Sequence, residues 1–251
     1  MDRITSRKNP VIIRIRKLAS DREYRYACTE YVCEGITLLH EALSSGAEIC
    51  TVIWNEDHDF ERIDAKEQYA VPSELYSYVS PLKNSPGPLF TVKMPGSYHA
   101  GQLRSAIILE NVQDPGNIGT VIRTADAFGT GTVVLTGSCA DHYSIKAVRA
   151  SMGAVFRQRV DTLAVADLRS FADLNSLRLY AAALSDKAYD IRGIDCNGCA
   201  FAVGNEGSGL SGELMDICDG KVIIPMALHA ESLNAAVAAS ILMWEMRRRE
   251  N

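Results

Sequence analysis

The sequence predicts an α/β protein in two parts: a smaller amino-terminal domain over 1–98 and a larger domain over 99–251 built on a parallel sheet. Three observations lead there. Apolar runs at 106–109, 132–135, 179–183, 200–203 and 222–224 have the near-continuous hydrophobicity of strands buried on both faces. Helical patterns fill the intervals between them. Upstream, Pro81, Pro86, Gly87, Pro88, Pro95 and Gly96 break any long regular element and put the domain boundary near Met94 to Arg104.

Along the amino-terminal part, Ile12, Ile15 and Leu18 recur at the helical period, as do Ile36, Leu39 and Leu43. Val52-Ile53-Trp54 reads as a short strand, 67–70 as helix, and 89–93 as a strand between the Pro/Gly breaks. In the larger domain, helices are expected over 118–128, 166–174 and 212–218, with a long closing helix over 232–249. The middle of that last helix, 235–244, is apolar nearly all round. It is too short to span a bilayer, and it predicts burial on two sides, hence a subunit interface.

At 251 residues, 47% hydrophobic and 23% charged, the chain has room for a sizeable core and no low-complexity tract. A net charge of -5 does not point to nucleic acid, yet the cations are uneven. Arg3, Arg7, Lys8, Arg14, Arg16, Lys17, Arg22 and Arg25 face only Asp21 and Glu23 in the same stretch. Such a run is either a solvated helix face or an anion-binding patch. Arg247-Arg248-Arg249 suits the negative end of a terminal helix. The seven scattered cysteines, after a polar and basic start from Met1 to Pro10 unlike a signal peptide, lead us to expect a reducing cytoplasm. Cys196-Asn197-Gly198-Cys199 is a lone C-x-x-C without a second pair or a nearby His, and reads as a turn rather than a zinc or redox site.

Three polar clusters stand where strands give way to loops. In the first, running from Asn111 to Arg123, Pro115-Gly116 makes a turn, Asn117 suits a helix N-cap, and Arg123 follows nearly two turns on. Read as structure alone, Arg123 is a surface arginine pairing with Asp126. In the second, from Gly204 to Ser211, the glycines let backbone approach a ligand while Glu206 projects. Gly207-Ser208-Gly209-Leu210-Ser211-Gly212 also matches G-x-G-x-x-G, with Glu231 as a ribose-binding carboxylate. Against a dinucleotide site, the following helix is barely two turns and Glu231 falls well past the next strand. In the third, from Ile224 to Asn234, Ser232 is a reasonable N-cap, and Ser232 with Asn234 makes a polar pair in apolar surroundings.

In order and spacing, these stretches resemble motifs 1, 2 and 3 of the SpoU (TrmH) family of RNA 2′-O-methyltransferases, in the SPOUT class. Motif 1 is similar to N-x-x-x-P-x-N-x-G-x-x-x-R from Asn111 to Arg123, motif 2 to G-N-E-G-x-G-L-S from Gly204 to Ser211, and motif 3 to I-P-M…E-S-L-N-A-A-V-A from Ile224 to Ala238. Lys146 to Gly153 resembles a family segment reading PK-x-x-R-x-S-x-G, with Ile145 in place of the Pro. Leu228 stands where Gly is common after I-P-M. Ile4 to Pro10, Lys17-Leu18 and Glu34-Gly35 resemble an amino-terminal RNA-binding domain similar to a ribosomal-protein fold.

The resemblance implies a carboxyl-terminal α/β trefoil-knot domain, S-adenosylmethionine held by Gly204, Ile224, Met226 and Leu233, and a homodimer. Arg123, Asn117, Glu206, Ser232 and Asn234 are the implied catalytic set: Arg123 activates the ribose hydroxyl, Asn117 and Asn234 orient it, Glu206 fixes the loop, and Ser232 completes the site. An arginine side chain is a poor base, so Arg123 suits polarising the hydroxyl better than abstracting its proton. RNA is expected to meet Arg7, Lys8, Arg14, Lys17 and Arg149, rRNA in preference to tRNA, with no metal and no membrane. The alternatives are a non-catalytic RNA-binding protein of the same fold and, from the 207–212 glycines, a dinucleotide-dependent oxidoreductase.

Overall fold

The computed structural model describes residues 1–58, 63, 65–82, 85–96, 102–185, 187–227 and 232–248. Glu231, Leu228 and Arg249 lie outside them. The chain divides into two compact units, Met1–Ser97 with Asp141–Phe156, and Tyr98–Ala140 with Arg157–Asn251. The first break, at Ser97 and Tyr98, lies beside the Pro/Gly passage. The inclusion of Asp141–Phe156 in the first unit has no counterpart in the sequence reading, which kept 99–251 whole.

In the first unit, β1 (Asp2–Arg3), β2 (Glu30–Glu34), β3 (Ile49–Asn55), β4 (Glu67–Val71) and β5 (Leu89–Lys93) form a mixed sheet in the order β1-β4-β3-β5-β2. Residues 67–70 are therefore strand and not helix. Glu67 to Val71 pair in parallel with Thr51 to Asn55, so ladder pairing overrides the local pattern. Alternation divides the sheet between two cores. Val32, Ile53 and Leu89 point to α1 (Pro10–Ser20) and α4 (Ser73–Val79), where Ile12, Ile15 and Leu18 are buried as predicted. Tyr31, Val52, Trp54 and Phe90 point the other way, to α3 (Ile36–Ser44) and to Tyr143, Val148 and Val155. The buried stripe of α3 is Leu38, Leu39 and Ala42, whereas Ile36 and Leu43 are exposed.

The segment Asp141–Phe156 is held in this unit by a buried ion pair. Arg25, in α2 (Arg22–Cys28), donates from Nη2 and Nε to Asp141 Oδ2 at 2.6 and 2.9 Å, and from Nη1 to the Leu18 carbonyl at 2.6 Å. Asp141 also accepts from the Tyr143 amide at 3.0 Å. Arg25 thus belongs to the interior and not to the basic face. The sequence-predicted Arg149 lies on α6 (Ile145–Ser151), hence in the first unit, and is exposed.

All seven strands of the second unit are parallel: β6 (Ser105–Glu110), β7 (Thr132–Thr136), β8 (Val160–Thr162), β9 (Arg178–Ala182), β10 (Tyr189–Asp190), β11 (Cys199–Val203) and β12 (Gly220–Ile223). The order is β10-β12-β9-β11-β6-β7-β8. The chain runs outward through β7 and β8, then returns to the other side of β6, so the order reverses there. Crevices that hold ligands open at the carboxyl ends of strands beside such a reversal. β6 and β11 are buried along their whole length, which accounts for their unbroken apolar composition apart from Ser105 and Glu110.

On one face lie α7 (Leu168–Leu174) and α8 (Gly212–Asp216), whose Leu168, Ala172 and Leu214 meet Ile108, Ala181 and Ala202. α5 (Pro115–Phe128) packs against α9 (Ala235–Arg248), and α9 also meets β11 and β6. The two helices run side by side in one direction, linked at Asn117–Asn234, Thr124–Ser240 and Phe128–Trp244. Val237 and Trp244 of α9 remain 47% and 50% exposed.

Candidate active site

The three polar clusters converge at the carboxyl ends of β6, β11 and β12. Register puts Leu109 opposite Val203, so Glu110 and Gly204 continue side by side. Next to them is a cavity of about 430 Å³ whose lining includes Gly204, Glu206, Ile224, Met226, Ser232 and Leu233. All four residues expected to hold the cofactor are therefore on one wall system. A smaller cavity in the first unit, about 280 Å³, is lined by charges that largely pair with each other, Arg14 with Glu30 and Lys66 with Glu48.

Gly204 is required by space. A Cβ there would stand 2.2 Å from the Gly209 carbonyl carbon and 2.5 Å from the Leu210 nitrogen. Backbone meets backbone at this point because the loop folds back on itself. Asn205 O accepts from the Gly209 amide at 2.9 Å, and Asn205 Oδ1 accepts from Gly207 and Ser208 at 2.9 and 3.2 Å. At the other end, Ser211 donates to the buried Glu110 carboxylate from its amide at 2.7 Å and from Oγ at 2.6 Å.

Asn205 Nδ2 also donates to the Asn111 carbonyl at 3.1 Å. Asn111 is left-handed, φ 57°, a conformation Asn tolerates better than most residues. The loop is thus fixed by Glu110, Asn111 and Asn205, which the sequence reading did not assign, whereas it gave that role to Glu206. One signal was available: Glu110 is an acid ending an apolar strand.

Glu206 reaches elsewhere. Its carboxylate accepts from Asn117 Nδ2, and Asn117 Oδ1 accepts from Asn234 Nδ2 at 3.2 Å. One residue from each motif thus forms a single hydrogen-bonded line. The capping roles differ from expectation. Asp114, and not Asn117, caps α5 by accepting from the Gly116 amide at 2.8 Å. Asn234, and not Ser232, accepts from the Ala236 and Val237 amides at the start of α9.

Arg123 stands outside this line. It is exposed, lies about 9 Å along the helix axis from Asn117, and among the described residues has no hydrogen-bond or ion-pair partner. Asp126, its expected partner, pairs with Arg157 at 2.8 Å.

Of the other sequence-predicted residues, Arg7 pairs with Glu74 at 2.7 Å, Arg14 is tied to the buried Glu30, and Lys8 and Lys17 are exposed. Cys196 and Cys199 are buried thiols, not joined by a disulfide, at a turn into β11, and burial pushes the Cys199 thiol up to about 11. Among the described residues no group of three or more His, Cys, Asp or Glu is placed to hold a metal, and no helix is long and apolar enough to cross a membrane. The G-x-G-x-x-G stretch leads into a helix of only 5 residues.

A parallel sheet with three polar loops around one strand-end cavity is the plan of an α/β enzyme that binds a nucleotide-like cofactor. Comparison with known proteins narrows this. The SpoU rRNA Methylase family matches residues 104–244. The chain is 31% identical over 254 residues to the 23S rRNA (guanosine(2553)-2'-O)-methyltransferase RlmP of Bacillus subtilis, covering 98% of this chain and 100% of that one. It is similar to the AdoMet-bound rRNA methyltransferase from Sinorhizobium meliloti, with TM-score 0.86, 28% identity and coverage of 98% and 97%. AviRb, a SpoU methyltransferase from Streptomyces viridochromogenes, shares the fold at TM-score 0.87 and 24% identity, over 97% and 98% of the two chains. The chain belongs to the SpoU rRNA methylase family.

Proposed function

We propose that this protein transfers the methyl group of S-adenosylmethionine to a ribose 2′-hydroxyl of RNA, with rRNA preferred over tRNA. The observation that carries the reading is the Glu206–Asn117–Asn234 line beside the cavity, joining three segments distant in sequence at one strand-end crevice. Family membership supplies the chemistry: S-adenosylmethionine, when bound, provides an electrophilic methyl group.

The residues present fit that cofactor. The cavity is about 430 Å³, within the range of small-molecule sites. Gly204 lines the cavity with backbone alone, its Cβ direction closed by the Gly209 and Leu210 backbone, and Ile224, Met226 and Leu233 offer apolar surface to a flat ring. Glu110, Asn111 and Asn205 keep the loop in place before any ligand arrives, so little ordering is needed on binding.

On the substrate side, Asn117 and Asn234 hold each other's amides in fixed orientation, and Glu206 is turned toward them. Ser232 lines the same cavity. Arg123, a cation that is exposed and unpaired among the described residues, is available to a hydroxyl or phosphate of RNA. Its contribution is polarisation and positioning of the hydroxyl. RNA is gripped by exposed cations of the first unit, Arg7, Lys8, Lys17 and Arg149, with Arg14 behind them held by Glu30. The protein acts in the cytoplasm as a homodimer, with α9 at the interface. The exposed apolar Val237 and Trp244 beside the buried face of α9 support this reading.

The test is a map of ribose methylation in RNA from cells with and without the protein, joined to methyl transfer in vitro by wild type and Arg123→Ala. Loss of one site, restored by wild type alone, is expected. Normal RNA binding with no transfer and no effect of Arg123→Ala would leave a non-catalytic RNA-binding protein instead.

A further inference from the structure

Four cation–aromatic stacks fall on one short part of the first unit. The Arg16 and Arg7 guanidinium carbons lie 4.1 and 4.6 Å from the centre of the Tyr78 ring. Lys17 Nζ lies 4.3 Å from that of Tyr24, and the Arg22 guanidinium 5.6 Å from that of Tyr26. At the usual frequency of about one per 70–80 residues, a chain of this length holds about three. Here four share α1, α2, α4 and the residues just before α1.

The charge on this face is not neutralised. Among the described residues, Lys8, Arg16, Lys17 and Arg22 have no carboxylate partner within ion-pair distance. Arg7 has Glu74, whose side chain is itself 87% exposed. In a chain with net charge -5 this excess is local.

We propose that this face binds an unpaired stretch of the RNA substrate by stacking as well as by charge. The inference rests on RNA being the substrate. A planar guanidinium beside a tyrosine ring gives a nucleobase a surface to stack on, and its remaining N–H groups reach phosphate oxygens. Lys17 and Arg22 extend the positive track along the backbone. Tyr78 holds Arg16 twice, through its ring and through a hydrogen bond from Arg16 Nη1 to the phenol oxygen. A membrane surface would need an apolar stripe, and Ile13 is the one large aliphatic side chain of α1 that is exposed.

Binding of the full chain to a short unpaired oligoribonucleotide and to an RNA duplex, by fluorescence anisotropy across a salt series, tests this. The variant R16Q/K17Q/R22Q is expected to bind unpaired RNA more weakly, with a salt slope less negative by about 2. Arg16→Lys keeps the charge and loses the plane. It is expected to weaken unpaired RNA on the order of ten-fold at unchanged slope, and the duplex much less. S-adenosylmethionine affinity stays at the wild-type value in both.

Wild-type affinity in Arg16→Lys, or an unchanged slope in the triple variant, would overturn the proposal. So would equal losses for RNA and polyglutamate, which mark a general anion surface. A wild-type protein with no RNA affinity would instead overturn the reading of function on which this one stands.

Discussion

Replacing Gly204 by Ala tests whether the cavity depends on backbone meeting backbone. The added Cβ would lie 2.2 Å from Gly209 C, 2.3 Å from Gly209 O and 2.5 Å from Leu210 N. None of these atoms can rotate aside. Reaching ordinary contact requires the loop to shift by about 1 Å, yet Asn205 ties it to the Asn111 carbonyl and Ser211 ties it to Glu110. Overpacking of this kind costs about 1–3 kcal/mol, or a fall in melting temperature of about 3–10 °C for a chain of this size.

A displacement of that order beside the reacting groups is expected to lower methyl transfer roughly 100-fold. Gly212→Ala is the control. Nothing lies within 4 Å of its added Cβ, so its stability should stay within about 0.5 kcal/mol of wild type. Differential scanning calorimetry and titration calorimetry with S-adenosylmethionine read both. A Gly204→Ala protein with wild-type melting and affinity would refute the close-approach argument, as would equal damage from Gly212→Ala.

Removing the buried carboxylate by Glu110→Ala should cost about 2 kcal/mol, the scale of a charge-assisted hydrogen bond, and raise the KM for the methyl donor. Glu110→Gln, which keeps one acceptor, should recover part of both in the same steady-state assay. Asn117→Ala breaks the line between Glu206 and Asn234. Single-turnover kinetics should show slower transfer with donor affinity unchanged.

His142, buried in the first unit, has its imidazole pulled down to about 4, chiefly by burial and against the pull of Asp141. The unfolded chain takes up this proton at about 6.5, so stability is full above that value and falls by about 3 kcal/mol as pH drops from 6.5 to 4. Urea melts of wild type and His142→Gln across that range would show the slope in the first and its absence in the second. For the proposed homodimer, wild type should sediment as a dimer and Trp244→Glu as a monomer; a monomeric wild type, or a Trp244→Glu dimer, would refute an interface at α9.

Much of this architecture was legible in the chain. Strands β6, β7 and β11 are near-continuous apolar runs because they are buried on both faces, and burial writes itself into composition; β9 and β12, only partly buried, show shorter apolar stretches. At Gly204 the glycine-rich loop suggested close backbone approach to a ligand, whereas the structure shows the close approach to the loop's own Gly209 and Leu210. Misread elements are those decided by partners far away in sequence. Residues 67–70 carry no strong strand pattern and become β4 through their ladder to β3. The caps moved from Asn117 to Asp114 and from Ser232 to Asn234 because several eligible residues sit within one turn, and only the path of the backbone selects among them.

By itself, then, the sequence determined the parallel sheet and the three strand-end loops, each a local pattern of burial or of backbone freedom, and the order and spacing of its motifs resembled one family. Tertiary structure alone decided what those loops do to one another. It gave the loop after β11 to Glu110, Asn111 and Asn205, turned Glu206 toward Asn117, and buried Arg25 against Asp141, 116 positions away. Hydrogen bonds across such separations leave no period in the chain. They exist only once the sheet order has brought the strand ends together.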